Sequence, residues 1–278
     1  MVTATRGALR FDVHTWGPDD GVPVLLLHGF PQTGRSWEAV ATLLAADGFR
    51  CIAPDQRGYS PGARPPRRRD YVLPELVADA IAVLDDVVGP GSRAHVVGHD
   101  WGAAVAWSLA ARDPERVATL TAVSVPPPRA FLRSLLTSRQ GLASWYMYVF
   151  QLPRLPERLL GAPGRLRALL RRTGLPPAAA DRDAAALADP DRLTAALNWY
   201  RALFLAPPSF GAKVSVPTRF VWSTGDTALT RQSTLHAQAE VTGPYEFVEL
   251  PGVSHWIPDE VPEQLAEIVA THAKNHPA

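Results

Sequence analysis

The chain alternates between short, densely apolar runs and longer stretches whose apolar positions recur at helical spacing. LRFDVHTW (9–16), VPVLLLHG (22–29), FRCIAP (49–54), AHVVG (94–98) and VATLTAVS (117–124) are of the first kind and predict strands buried in a sheet. Between them the spacing predicts a helix from Pro74 to Val88, with Leu76, Val77, Ala80, Ile81 and Leu84 on one face and Pro74 suited to a first helical position. A second helix is predicted from Trp101 to Arg112, ended by Asp113-Pro114. Strands alternating with helices indicate an α/β fold, a mostly parallel central sheet flanked by helices.

After Ser124 the rhythm changes. From VPPPRA (125–130) to LAPPSFGAK (205–213) no convincing strand occurs, and Leu, Ala, Arg and Pro dominate. VPTRFVWSTGD (216–226) and PYEFVELPG (244–252) restore the strand pattern, and a last helix is expected from about Pro258. Two strands are too few for a second sheet. The expected organisation is therefore a core of residues 1–125 and 212–278 with a helical insertion at 126–211, rather than two domains in series.

Length and charge narrow the function. A chain of 278 residues suits one large domain with an inserted subdomain. With 28 Lys and Arg against 27 Asp and Glu the net charge is +1, so no global field favours nucleic acid or an anionic membrane. The single cysteine, Cys51, lies in an apolar strand with no cation beside it and reads as a buried structural thiol. Neither a signal peptide nor a membrane-spanning run is evident, and a cytoplasmic location is expected.

Candidate chemistry begins at VVGHDWGAAVAW (96–107), where Asp100 occupies the turn between a predicted strand and helix. Gly98 and Gly102 stand two residues to either side, the small-residue pattern of a strained elbow that raises its central side chain above the sheet. An aspartate ahead of a helix is also an ordinary N-cap, so its partners decide. His255 follows the last predicted strand and Asp226 the one before it, which puts both at the carboxyl edge of the sheet with Asp100. No acid occurs between Glu115 and Glu157, leaving Asp226 as the well-placed orienting carboxylate. His14, His95, His236 and His272 lack such placement and read as solvated bystanders. In LLLHGFPQ (25–32) a turn after the strand aims the Phe30 N–H at Asp100, and with the Trp101 N–H it makes a two-donor oxyanion hole.

Taken in order, HGFP (28–31), PDQRGYSPGARP (54–65), GHDWGA (98–103), STGD (223–226) and GVSHW (252–256) resemble the α/β-hydrolase superfamily, in the aspartate-nucleophile branch that holds epoxide hydrolases and dehalogenases. The resemblance spans the chain from about Leu9 to the last helix. It implies an α/β-hydrolase core with a helical cap inserted after the sixth core strand, no cofactor, no metal, and a small-molecule substrate attacked by Asp100 and released by water. A carboxylate is ionised at neutral pH and attacks saturated carbon without a base. His255, oriented by Asp226, then activates water against the resulting ester.

The leaving group separates the branches. A halide departs as a stable anion, whereas an epoxide oxygen departs as an alkoxide and needs a proton donor, which tyrosine supplies. NWYR (198–201) resembles the epoxide-hydrolase segment holding one cap tyrosine, which assigns Tyr200. SWYMYVFQ (144–151) resembles the other and assigns Tyr146, with Tyr148 as the alternative. The resemblance further implies a pocket formed with His28, Pro31, Trp145, Tyr148 and Trp256. Dehalogenase features are weaker: Phe30 offers no side-chain donor, and Trp101 stands where fluoroacetate dehalogenases place an arginine. The expected activity is epoxide hydrolysis, with haloalkane or haloacid dehalogenation and ligand binding without catalysis as the alternatives. Two basic runs, Arg64–Arg69 and Arg165–Arg172, read as solvated faces.

Overall fold

The predicted strands pair into one sheet because most are apolar on both faces, the composition parallel strands need when helices cover them from two sides. The structure is a computed structural model that describes residues 1–203, 205 and 213–278. Its strands are β1 (Val2–Arg6), β2 (Leu9–Trp16), β3 (Val22–Leu27), β4 (Phe49–Pro54), β5 (Ala94–His99), β6 (Val117–Val123), β7 (Thr218–Ser223) and β8 (Tyr245–Leu250). They lie in the order β1-β2-β4-β3-β5-β6-β7-β8. β1 pairs antiparallel with β2, and β2 with β4, while β4 through β8 are parallel. β1 is absent from the sequence-based assignment. Its VTATR buries only Ala4, and pairing with β2 across the turn at Gly7 (φ 59) makes it a strand.

Outside the insertion the helices are α1 (Glu38–Ala46), α2 (Leu73–Val87) and α3 (Trp101–Arg112), with the short turns α11 (Arg231–Thr234) and α12 (Ile257–Glu260) and the long α13 (Pro262–Asn275) after it. Alternate residues of β3 serve the two faces: Leu25 and Leu27 pack with α2 and α3, Val24 and Leu26 with α1 and α13. The single helix expected from Pro258 is two helices. Val261, held at φ −135 ahead of Pro262, interrupts it, since a residue before proline is crowded out of helical geometry.

Between β6 and β7 the described residues form α4 (Pro128–Thr137), α5 (Gln140–Ala143), α6 (Trp145–Val149), α7 (Leu155–Leu160), α8 (Arg165–Arg172), α9 (Pro177–Ala186) and α10 (Pro190–Ala202). The expected boundary at 211/212 lies outside the described residues. The insertion is fastened to the core from α10, where the Trp199 indole donates to the Arg57 carbonyl at 2.8 Å. Arg57 in turn donates to both oxygens of buried Asp79, at 2.6 and 2.7 Å. Breaking such a buried pair from one side costs about 3–5 kcal/mol, so this loop is a firm floor for α10.

Two of the histidines expected in solvent are buried. His95 on β5 meets the Thr119 hydroxyl at 2.9 Å, and His272 on α13 meets that of Thr121 at 3.1 Å. Burial pulls their pKa values down to about 4 and about 3, so both are neutral structural groups. Cys51 is buried as expected, and burial pushes its thiol up to about 12.

Candidate active site

β5 ends at His99 and α3 begins at Trp101, so the chain reverses within Asp100, which sits at φ 52 and ψ −121. A non-glycine residue there carries strain of about 1–3 kcal/mol and persists only where its surroundings enforce it. Close packing enforces it here. A Cβ on Gly98 would lie 2.2 Å from the Gly102 carbonyl oxygen, and one on Gly102 would lie 2.0 Å from that of Leu27. Only glycines allow strand and helix to approach this closely.

Asp100 is 8% exposed, and its raised carboxylate accepts the Phe30 N–H at 2.8 Å through Oδ1. Its Oδ2 lies 3.7 Å from His255 Nε2. On the other side of the ring, His255 Nδ1 donates to Asp226 Oδ2 at 2.7 Å. Asp226 is fixed in turn by the N–H groups of Ala228 and Leu229, each 2.8 Å from Oδ1. Residues from three strand ends thus form one line of carboxylate, imidazole and carboxylate.

Charge follows geometry. Burial pushes the Asp100 carboxyl upward, but the His255 bond and charge, His99 and the Trp101 N–H outweigh it and hold the group below the usual carboxylate range. Burial pulls His255 down, yet the Asp226 charge and the Asp100 and Asp226 bonds outweigh it and raise the ring to about 10. At neutral pH the resting pair is carboxylate and imidazolium. Part of that elevation belongs to Asp100, so Asp100→Asn is expected to lower the His255 pKa, read by NMR titration of the ring. An unchanged titration would assign the elevation to Asp226 alone.

The insertion supplies the opposite wall. Tyr146 on α6 and Tyr200 on α10 stand with ring centroids 6.1 Å apart, and Tyr200 also packs edge-on against Trp101 and Phe30 at 5.1 and 5.4 Å. Burial raises both hydroxyls well above an ordinary tyrosine, so both keep their protons at neutral pH. Asp100 and these tyrosines border two cavities at once. One, of about 450 Å³, includes Phe30, Pro31, Trp145, Leu166, His255 and Trp256. The other, of about 70 Å³, includes Leu73, Trp101, Val125, Phe131, Met147 and Trp199. Nearly all the wall is apolar, and the polar groups converge where the two lobes meet.

Two expected pocket residues are elsewhere. His28 lines neither lobe: its ring turns under the loop, packs edge-on to Tyr59 at 4.6 Å and accepts the Gln56 N–H at 3.1 Å, so only the Phe30 N–H of that turn reaches Asp100. Tyr148 is 57% exposed. Two residues along a helix is a rotation of about 200°, so with Tyr146 facing Asp100 its neighbour faces solvent. Pro31, Trp145 and Trp256 do border the larger lobe.

Behind the site runs a buried chain that sequence inspection missed. His99 Nε2 meets the His255 carbonyl at 2.9 Å, and its Nδ1 lies 3.2 Å from Gln32 Oε1. The Gln32 amide donates to Asp259 at 2.7 Å and to Asp183 of the insertion at 3.3 Å, and Arg182 bridges both carboxylates. The only sequence signal was adjacency, since Gln32 and His99 sit inside motifs chosen for other residues. Among the described residues no group of His, Cys, Asp and Glu is arranged to hold a metal ion.

The model of the alpha/beta hydrolase family matches residues 24–268, nearly the whole of this fold and site. The chain belongs to that family. This α/β hydrolase is 35% identical to the AB hydrolase superfamily protein YfhM of Bacillus subtilis, over 93% of its own length and 92% of that protein. It is 33% identical to epoxide hydrolase A of Mycobacterium tuberculosis, with 89% of each chain covered. Among solved structures, epoxide hydrolase A from Mycobacterium thermoresistibile superposes with a TM-score of 0.84 at 27% identity, covering 98% of this chain and 97% of that one. The hydrolase is thus epoxide hydrolase-like, as its motifs led one to expect.

Proposed function

We propose that this hydrolase opens apolar epoxides to vicinal diols through a covalent ester of Asp100, with the helical insertion acting as the cap. The observation that carries the proposal is the meeting of one ionised carboxylate and two protonated tyrosines at the junction of two apolar lobes. The hydroxyls of Tyr146 and Tyr200 bind the ring oxygen. Asp100 Oδ2 attacks a ring carbon, that carbon's bond to the ring oxygen breaks, and a tyrosine proton passes to the departing alkoxide.

Ester formation removes the negative charge of Asp100, one of the groups that keep His255 protonated. The ring then releases its proton, which restores the tyrosine by way of solvent, and becomes a base. It takes a proton from water as that water attacks the ester carbonyl carbon, and Asp226 stabilises the imidazolium. Phe30 and Trp101 N–H groups hold the oxyanion. On collapse the ester oxygen departs, takes the remaining proton of the added water and becomes the second diol hydroxyl, which leaves one water oxygen in the Asp100 carboxylate.

The unequal lobes, about 450 and 70 Å³, favour epoxides with a bulky apolar group on one ring carbon and a small group or hydrogen on the other. A halide leaving group would give the tyrosine pair nothing to protonate. Single turnover in ¹⁸O-water, followed by mass analysis of the Asp100 peptide, tests the mechanism. One labelled oxygen is expected there; an unlabelled carboxylate with labelled diol would mean that water attacks the epoxide directly.

A further inference from the structure

The whole-chain charge of +1 conceals a separation. Residues 129–172 hold nine arginines and a single acid, Glu157, so this stretch carries +8 and the remainder of the chain −7. Glu157 is itself taken up by Arg201, at 2.7 Å. Among the described residues Arg133, Arg139, Arg154, Arg158, Arg165 and Arg172 form no ion pair, and all are exposed.

The same stretch exposes apolar bulk. It holds eight of the fourteen large hydrophobic side chains exposed among the described residues, including Leu136 at 89% and Leu142 at 77%. Three of the eight, Trp145, Leu159 and Leu169, are also walls of the larger lobe. The chamber therefore opens on this face, and α6, α7 and α8 surround its mouth with outward-facing apolar groups. Tyr148 on α6 and Leu152 in the segment after it are exposed as well.

A surface both apolar and strongly cationic restricts what can cover it. A two-fold contact with a second copy would bury the apolar groups but set six unpaired arginines against six more. A nucleic acid would meet the charge and leave leucine and tryptophan without a partner. A bilayer containing anionic lipid meets both requirements: leucine and tryptophan enter the headgroup boundary, and arginine stems reach along the apolar surface to the phosphates. We propose that this face docks on an anionic lipid surface with the mouth of the larger lobe against the bilayer, so that apolar substrates enter from the membrane. No helix among the described residues is long and apolar enough to cross one, so the association is peripheral.

The identity of the substrate as an epoxide rests on the function proposed above; the docking does not. Flotation with vesicles of phosphatidylcholine alone, and of equal parts phosphatidylcholine and phosphatidylglycerol, reads docking without turnover. The hydrolase is expected to bind the anionic vesicles and to release as salt rises. The triple variant R133E/R158E/R165E is expected to bind about 100-fold more weakly or worse. L142S is expected to weaken binding at constant charge. Reversal of three exposed arginines elsewhere, R10E/R35E/R112E, should leave binding in place, and turnover of a water-soluble epoxide should be unchanged in all of these variants. Failure to bind anionic vesicles at low salt would overturn the proposal. Equal binding by wild type and R133E/R158E/R165E would do so too, as would a solution dimer that L142S dissociates.

Discussion

His255→Gln is expected to stop the hydrolase halfway, consuming one equivalent of epoxide and retaining it as an ester on Asp100. The first step asks nothing of His255 as a base, because Asp100 is already ionised: its carboxyl stands below the usual range, and in the variant the Phe30 and Trp101 N–H groups still favour the anion against burial. Hydrolysis of the ester does need a base. Water attacks only as it loses a proton, and Nε2 of His255 is the group that faces Asp100, at 3.7 Å. Glutamine keeps a donor for Asp226 but takes up no proton at neutral pH. Ester hydrolysis should slow by about 10²–10⁴-fold, and intact-protein mass should rise by the mass of the epoxide, with the increment mapped to the Asp100 peptide. Continued turnover without an adduct would remove His255 from the hydrolytic step.

The paired substitution Tyr146→Phe and Tyr200→Phe is expected to suppress the opposite half of the cycle. Without a proton donor the ring oxygen must leave as an alkoxide, and a positioned acid is worth about 10²–10⁴-fold. Both rings remain to pack, so thermal stability should change little. The loss should fall on formation of the Asp100 ester, with no adduct accumulating even when His255→Gln is added. Alkyl halides of similar shape make the contrast informative, since a halide departs without a proton. Epoxide turnover surviving in the double variant would remove the tyrosines from ring opening, and halide release from wild type exceeding diol formation would favour dehalogenation.

The core strands were legible because β3 to β7 are buried on both faces and read as near-continuous apolar runs. β1 was not, since one buried alanine in five residues is no pattern until β2 lies beside it. The elbow was legible for a local reason: glycines two residues on either side of Asp100 are a backbone requirement written next to the residue they serve. His255 and Asp226 were legible by order, because each follows a strand of a parallel sheet and therefore reaches the same edge.

Other features depended on which way a side chain turns. Tyr146 and Tyr148 share a motif, and the angle at which α6 meets the core directs one to Asp100 and the other to solvent. His28 belongs to the turn that holds Asp100, but its ring goes beneath the loop to Gln56. The sequence by itself thus determined the order of strands and helices, the strained turn and the chemical kinds of group at its edge, since neighbouring residues specify these through backbone geometry. The tertiary structure alone decided the link from Asp183 through Gln32 and His99 to the His255 carbonyl, the two unequal lobes, and the opening of the larger one beside exposed apolar side chains. Those are distances between residues far apart in the chain, and only the packing of the insertion onto the sheet sets them.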